Sequence, residues 1–240
     1  MKMNSDEAPH LAPVRRVYDE LWAEAQVAFR QGVPQFDSHL REPGADPRRG
    51  LTLIVRPSEA VRVRVESFLR EAAAAAPGQY VSGPAEMHMT ILSLLSGSAD
   101  WRIYVRQWPA FRKVLAEILA TWPAFKIIYR GVTASPQTVI IQGFPCDDSL
   151  QRLRDELRAR LKELGLAGQL DKRFRIVAAH LTVMRFVTPL PDWQPLARCL
   201  EAHRDTDFGE MNVTTLQLIF SDWYMSRRRT RVLEEYKLAN

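Results

Sequence analysis

The chain has 240 residues, with 46% hydrophobic and 25% charged residues, two cysteines and a formal net charge of +5. It is long enough for one large domain or two small lobes, no apolar run approaches the ~20 residues of a membrane-spanning helix, and two cysteines cannot build a disulfide framework. With acidic residues and prolines where a signal peptide would be apolar, these features predict a soluble cytoplasmic protein, and the small positive charge mildly favours an anionic ligand such as a phosphate ester or RNA.

The first 50 residues are predicted to form a helical leader followed by a loop. Apolar residues recur at helical spacing between positions 14 and 31, and Gly32 and Pro34 end the helix. The apolar stripe consists of Val14, Val17, Leu21, Ala25 and Ala28. The segment DSHLREPGADPRRG, residues 37–50, is rich in turn residues and predicts a loop.

From residue 51 onwards, the order strand, helix, strand, helix, strand occurs twice. The first half comprises strand 51–57, a helix capped by Ser58 that runs to about residue 76, strand 87–95, helix 109–121 and strand 125–132. The second half comprises strand 138–145, helix 147–165, strand 175–187, helix 193–203 and strand 212–220, with 230–238 pairing to it across a basic turn. This repeat predicts one bilobal domain, residues 51–240, with interleaved lobes and halves at about 51–133 and 138–238.

The same short motif recurs in the two halves. His88 and Thr90 lie in MHMTILSLL, and His180 and Thr182 lie in AAHLTVMRF. From the start of the first strand to the histidine is 37 residues in one half (88 minus 51) and 42 in the other (180 minus 138). Residues i and i+2 of a strand point to one face, so each pair projects together. A single His-x-Thr usually reflects satisfied core polarity, whereas two copies at matching positions favour a site.

Two facing histidines are suited to phosphodiester cleavage. One neutral imidazole takes a proton from the attacking oxygen, and the other, protonated, gives one to the leaving oxygen. Each threonine hydroxyl can donate a hydrogen bond to a phosphate oxygen as negative charge builds there. No cofactor is needed, and a zinc site is disfavoured because no Cys, Asp or Glu shares either motif. The other histidines, His10, His39 and His203, are interpreted as surface residues.

The motifs HMTI and HLTV resemble the paired signatures of the 2H phosphoesterase superfamily, and most of all its bacterial 2′–5′ RNA ligase and cyclic-nucleotide phosphodiesterase branch. The resemblance covers about residues 50–238. It implies a bilobal α+β fold in which two antiparallel sheets form a central groove flanked by helices, and cleavage of 2′,3′-cyclic phosphates or related esters. By resemblance, His88 and His180 are the acid–base pair, and Thr90 and Thr182 are the phosphate anchors. The leader is not part of the family core, and we expect it to cover a sheet or narrow the groove.

The second motif of this family often extends to an arginine three residues after the threonine, and Arg185 stands there. Simple alternation places Arg185 on the face away from His180, so a role for it requires a bulge or a side chain that folds over the edge. Phe186 falls on the His180 face, where it either stacks on a base or belongs to the core.

Two basic segments have a functional and a structural interpretation. Lys172, Arg173 and Arg175 precede the second motif, where they either steer a phosphate chain or form a solvated loop. SRRRTR, residues 226–231, either contacts RNA phosphates or is a basic hairpin turn that discourages edge pairing.

Three functional hypotheses remain open at this level. The first is an enzyme that hydrolyses cyclic or linear phosphodiesters at RNA 3′ ends or in small nucleotides, with no membrane association and no obligate protein partner. The second is a non-catalytic nucleotide- or RNA-end-binding module that retains the groove. The third is a scaffold whose leader helix docks a partner. The intact set of two histidines and two threonines favours the first, because a pure binding module would tolerate loss of a histidine.

Overall fold

A computed structural model describes residues 8–40, 46–102, 106–171 and 175–239. The described residues form five α-helices and nine β-strands. The helices are α1 Ala12–Gln31, α2 Glu59–Ala75, α3 Trp108–Leu119, α4 Ser149–Glu163 and α5 Gln194–Ala202. The strands are β1 Arg49–Val55, β2 Tyr80–Val81, β3 Met89–Ser98, β4 Phe125–Ala134, β5 Thr138–Pro145, β6 Leu181–Arg185, β7 Asp207–Val213, β8 Thr215–Ser221 and β9 Arg231–Lys237.

The strands form one antiparallel sheet with the order β7-β4-β5-β6-β3-β1-β8-β9, and the short β2 pairs with β6. One half of this sheet consists of β7, β4, β5 and β6, and the other half consists of β3, β1, β8 and β9. The two halves meet at β3 and β6, where the ladder consists of the single pair Met89 and Leu181. The expected pair of sheets is therefore present as two half-sheets that are joined at one point and splay apart beyond it.

The two halves of the chain exchange strands between these half-sheets. β4 follows the first motif in sequence but pairs with β5 and β7 of the second half. β8 and β9 follow the second motif but extend the sheet beside β1. Outwards from the junction, both half-sheets have the same arrangement of a motif strand, the first strand of that half and two outer strands.

Each of the five described helices has an apolar stripe, and α2 alone among them has a side-chain cap at its start. Ser58 accepts a hydrogen bond from the backbone N–H of Val61 at the start of α2, and Gly32 ends α1 with a φ of 67° that favours glycine. The apolar sides of the helices face a continuous core that includes both motif strands. Within the described ranges, no helix combines the length and apolarity needed to cross a membrane.

The leader helix α1 covers part of the sheet near the junction. Tyr18 is 1% exposed, and its hydroxyl bridges Gly143, accepting from the N–H and donating to the C=O, each at 3.0 Å. Tyr18 also packs with Ile140, which pairs with Thr182 in the ladder. Since paired residues of a ladder share a face, α1 lies on the face of the second half-sheet that carries Thr182.

The second half differs from the sequence prediction in two places. The predicted strand 175–187 is ordered as a strand only at Leu181–Arg185, because the preceding segment leaves the ladder. The predicted strand 212–220 is the end of β7 followed by β8, and β7 extends back to Asp207. Alternating exposed and buried residues along β7 fit its position at the edge of the sheet.

Candidate active site

A cleft of about 880 Å³ lies where the two half-sheets diverge. It is lined by residues of β1, β3, β6 and the segment after β8. His88, Thr90, His180 and Thr182 all line it. The structure therefore brings the two sequence-predicted pairs, which are far apart in the chain, into one cleft.

The first motif reaches the cleft through a bulged strand. Thr90 pairs with Ile54, but Leu92 pairs with Leu53, so Ile91 is an extra residue in β3. A bulge of this kind shifts the alternation by one residue. Ser93 consequently lines the same cleft as Thr90, at a spacing of three rather than two or four.

The second motif contains a bulge at the equivalent place. Thr182 pairs with Ile140 and Met184 pairs with Val139, which leaves Val183 as the extra residue of β6. The shift brings Arg185 to the cleft beside Thr182. The two motifs therefore present matching residues at i, i+2 and i+5, with serine at the third position in one and arginine in the other.

This bulge reverses what simple alternation predicts for the end of β6. Simple alternation predicted Arg185 on the face away from His180. Arg185 instead lies in the cleft, because β6 contains the bulge that a role in the site requires. Phe186, expected on the His180 face, follows the end of β6 and does not line the cleft. Phe186 is 0% exposed and packs edge-on against Phe29 and Trp193 in the core, so it is the core aromatic of the two interpretations.

The turn before β3 fixes the His88 ring. Nδ1–H of His88 donates to the carbonyl oxygen of Glu86 at 2.6 Å, which leaves Nε2 for the cleft. The Glu86 carboxylate is itself held by the Tyr80 hydroxyl at 2.7 Å and the Gly83 N–H at 2.9 Å. These contacts define one tautomer of His88, with its lone pair on Nε2.

His180 is held differently. It immediately precedes β6, and its Nδ1 is buried without a hydrogen-bond partner among the described residues. A neutral ring that keeps its proton on Nε2 leaves only an unpaired acceptor at Nδ1, which costs less than an unpaired buried donor. His180 therefore presents Nε2–H as a donor more readily than as an acceptor.

Both imidazoles are neutral in the free protein. Burial lowers the pKa of His88 to about 4, the Glu86 carbonyl opposes this change, and the charges of Arg56, Arg185 and His180 contribute to it. Burial likewise lowers the pKa of His180 to about 4, with further contributions from two arginines. The charges of nearby arginines favour an anion beside the neutral imidazoles, while the carboxylates of Asp171 and Asp222 also line the cleft.

The arginines near the histidines are Arg56, Arg154 and Arg185. Within the described parts of the chain, none of them forms an ion pair with a carboxylate. Arg185 stacks over the Tyr224 ring at 5.6 Å, and burial lowers its pKa. The guanidinium groups therefore supply positive potential that no carboxylate in the described ranges cancels by direct contact.

The hydroxyls of Thr90 and Thr182 have no hydrogen-bond partner among the described residues, and both side chains are partly exposed in the cleft. Ser93 is in the same situation. Three hydroxyl donors are thus available to a ligand that lies between the histidines.

An aromatic wall of the cleft was missed by sequence reasoning. Trp223 follows β8 and lines the cavity. Arg48 lies over its ring at 5.6 Å and forms a 2.6 Å ion pair with Asp46, which is 1% exposed. Gly97 makes room for the ring, since a Cβ at that position would come within 3.1 Å of it. The end of the leader thus supports an aromatic surface of the kind on which nucleobases stack.

Of the two basic segments, the described residues Arg175 and 226–231 do not line the cleft. Lys172 and Arg173 are outside the described residues, and Arg175 forms an ion pair with Asp155 at 2.6 Å. In the 226–231 turn, Arg227 and Arg228 are exposed.

The remaining histidines do not line the cleft. His10 contacts the carbonyl of Pro145, and His203 contacts Glu71 at 3.1 Å, so these two have partners where surface residues were expected. His39 is exposed. No group of three or more His, Cys, Asp or Glu residues with metal-binding geometry occurs in the ranges that the structure describes.

Comparison with solved structures identifies the architecture as the 2H phosphoesterase fold, which confirms the expected fold class and, at the level of the fold, the resemblance. TT0787 of Thermus thermophilus superimposes with a TM-score of 0.60 and 20% identity, covering 79% of this chain and 97% of that one. A crystal structure of a phosphoesterase gives 0.55 and 16%, with coverages of 80% and 99%. E. coli LigT, complexed with NADP+, gives 0.53 and 15%, with coverages of 80% and 99%. No protein-family model and no curated protein sequence matches the chain.

Proposed function

We propose that the protein is a phosphoesterase that hydrolyses 2′,3′-cyclic phosphates or 2′–5′ phosphodiesters of RNA ends or small nucleotides without a metal ion. The observation that carries this proposal is the convergence of His88, Thr90, His180 and Thr182 on one cleft, with arginine charges near both histidines. The solved structures with this fold support the broader class, since one is a phosphoesterase and E. coli LigT was crystallised in complexes with 3′-AMP, ATP and phosphate.

His88 is the general base in this proposal. Its Nδ1–H is committed to the Glu86 carbonyl, so Nε2 carries the lone pair that takes a proton from the attacking water. The same carbonyl stabilises the imidazolium that forms, because it accepts from Nδ1–H in both protonation states.

His180 is the general acid. Its Nε2–H faces the cleft, and it gives this proton to the leaving sugar oxygen once the bound phosphate has stabilised the imidazolium. An anion beside the ring favours the charged form, opposing the burial and the arginine charges that lower the pKa in the free protein. Substrate binding therefore supplies the protonation state that the second half of the reaction requires.

The phosphate is held by hydroxyls and by Arg185. Thr90 and Thr182 donate to the non-bridging oxygens, and Arg185 offers a planar fork that suits two of them. Negative charge on these oxygens grows towards the transition state, so the same contacts strengthen as the reaction proceeds. Trp223 stacks on the base of a nucleotide whose phosphate lies between the histidines.

The test is a panel of 2′,3′-cyclic nucleotides, oligonucleotides with cyclic ends and 2′–5′ dinucleotides, with the position of the product phosphate identified. We expect turnover of at least one class, undiminished by a chelator and lowered by about 10²–10⁴-fold in His88→Ala. Binding of nucleotides without turnover of any of them would instead support the non-catalytic module. Activity that required added Zn²⁺ or Mn²⁺ would refute the metal-independent mechanism.

A further inference from the structure

Arg154 is a buried arginine without a carboxylate partner among the described residues. It lies on α4, is 0% exposed, and occupies the apolar stripe formed by Leu150, Leu153, Leu157 and Leu161. Burial lowers its pKa to about 9. A buried charge destabilises the folded state unless its hydrogen-bonding groups have partners, so the buried guanidinium of Arg154 requires acceptors for its N–H groups.

All of its hydrogen bonds go to backbone carbonyls of the two motif segments. Nε donates to Ile91 and Nη2 to Thr90, each at 2.9 Å, on the first motif strand. Nη1 donates to Val177 at 2.7 Å and Nη2 to Ala178 at 2.9 Å, in the segment that leads into His180. One guanidinium therefore links the backbones of both halves directly behind the cleft.

Arg154 links the two motif segments at the place where their backbones stop pairing with each other. The ladder between β3 and β6 consists of the pair Met89 and Leu181, and it does not continue to the next position, where Thr90 would face His180. The backbone carbonyl oxygens beyond that pair do not accept from an N–H of the opposite motif strand. The guanidinium of Arg154 donates hydrogen bonds to them instead. The separation of the two half-sheets at the cleft is thereby fixed by a rigid planar group.

We propose that Arg154 is the positioning residue of the site, setting the separation and orientation of the two His-Thr pairs through the backbones that carry them. The expected effect of Arg154 on turnover rests on the proposed function, whereas its expected effect on the histidines rests on the observed contacts alone. Misplacement of catalytic groups by about 1 Å costs about 10²-fold in rate, so a change in this link acts on kcat more than on substrate binding.

The electrostatic consequence concerns His180 first. The positive groups that act on His180 are Arg154, which is bonded to the carbonyls of Val177 and Ala178, and Arg185, which lines the cleft. Around Arg154 itself lie Arg158, Tyr18, Asp171 and Asp155. Loss of the Arg154 charge should therefore raise the pKa of His180.

Two variants separate the link from the charge. Arg154→Lys keeps a cation but replaces the fork with one ammonium that cannot reach all four carbonyls, and Arg154→Met removes both. Leu157→Ala is the matched control, because this residue is one turn further along α4, 0% exposed, and its truncation destabilises the same helix without touching the motif backbones.

We expect Arg154→Lys to lower kcat by about tenfold or more with KM changed less than about threefold, and Leu157→Ala to keep kcat within about twofold at a comparable Tm. Amide hydrogen exchange over residues 88–92 and 177–182 should accelerate in Arg154→Lys and not in Leu157→Ala. In NMR titrations of the imidazole nitrogens, Arg154→Met should raise the pKa of His180.

The inference is overturned if Arg154→Lys folds and keeps wild-type kcat and exchange rates, or if Leu157→Ala at matched Tm loses as much activity. It is equally overturned if His180 titrates identically with and without the Arg154 charge. Should the wild-type protein turn over no ester, the proposed function fails, while the exchange and titration experiments still decide the role of Arg154. If Arg154→Met does not fold, Arg154→Lys carries the test of the link.

Discussion

A phosphate anion in the cleft should raise the pKa of at least one of the two histidines. In the free protein, both values lie near 4 because burial and neighbouring positive charges disfavour the imidazolium. Inorganic phosphate or 3′-AMP placed between His88 and His180 adds the opposite charge at contact distance. The expected result is a protonated histidine at near-neutral pH in the complex but not in the free protein.

The size of this effect follows from the geometry of a direct contact. Two unit charges about 4 Å apart interact by about 4 kcal/mol at an effective dielectric constant of about 20, and 1.36 kcal/mol corresponds to one pKa unit. The anion should therefore raise the pKa of the histidine it contacts by about 3, from about 4 to about 7. A phosphate monoester such as 3′-AMP itself takes up a proton at about pH 6. Above that pH the complex binds more protons than the free protein and ligand together, so affinity should increase as pH falls from about 7 to about 6 and should change little above about 7.

The assay is an NMR titration of the imidazole nitrogens with and without saturating ligand, accompanied by calorimetric binding at several pH values. His203 provides an internal control, because its ring contacts Glu71 and Thr206 away from the cleft and its signals should not respond to the ligand. If both His88 and His180 remain neutral down to about pH 4 in the saturated complex, the phosphate does not lie between them and the proposed site is wrong.

Further predictions concern the division of labour in the cleft and the leader. In steady-state assays, His88→Ala and His180→Ala should each lower the rate by about 10²–10⁴-fold. The double variant should be little worse than the worse single variant, because the two residues act in one step. Near-normal turnover in both folded single variants would refute the acid–base mechanism. Thr90→Ala and Thr182→Ala should each cost about 10²–10³-fold in kcat while the serine variants cost much less, and equal losses in the alanine and serine variants would count against hydroxyl donation. Tyr18→Phe leaves the N–H and C=O of Gly143 without their shared partner, so chemical denaturation should report a loss of about 1–3 kcal/mol with turnover unchanged; an altered substrate range would mean that α1 shapes the cleft.

The sequence predicted the order of the elements and the two pairs of the site because their signals are local and repeated. Caps, prolines and apolar periodicity identify helices and strands within about 20 residues, and the doubled His-x-Thr marks equivalent places in two similar halves. The expected α+β fold class was confirmed for the same reason. The order of strands and helices repeats in the two halves of the chain, and the two half-sheets have equivalent arrangements of strands.

The positions of Arg185, Phe186 and Ser93 could not be predicted because a bulge depends on pairing with a neighbouring strand. One extra residue at Val183 or Ile91 reverses the face of everything that follows in the strand, and no single residue type encodes it. The identical spacing of the two motifs, with a polar residue three positions after each threonine, was the available signal.

Arg154 and Trp223 were missed for a different reason. An arginine on an amphipathic helix is ordinarily exposed, and only its position within the leucine stripe of α4 indicates burial. Trp223 follows a strand and becomes part of the cleft through contacts with Arg48 and Gly97, which are distant in sequence. Both roles arise from long-range packing, on which local periodicity carries no information.

The exchange of outer strands between the two halves determines the order in which the protein can be completed during synthesis. β1 must wait for β8, and the leader helix, made first, must wait for β5 and the segment before His180. Neither half can close its own half-sheet, so a fragment ending between β4 and β5 lacks the two strands that cover β1 on its outer side. We expect such nascent fragments to remain open until the last strands emerge, with folding slowed by the closure of long loops and a single cooperative transition for the whole sheet.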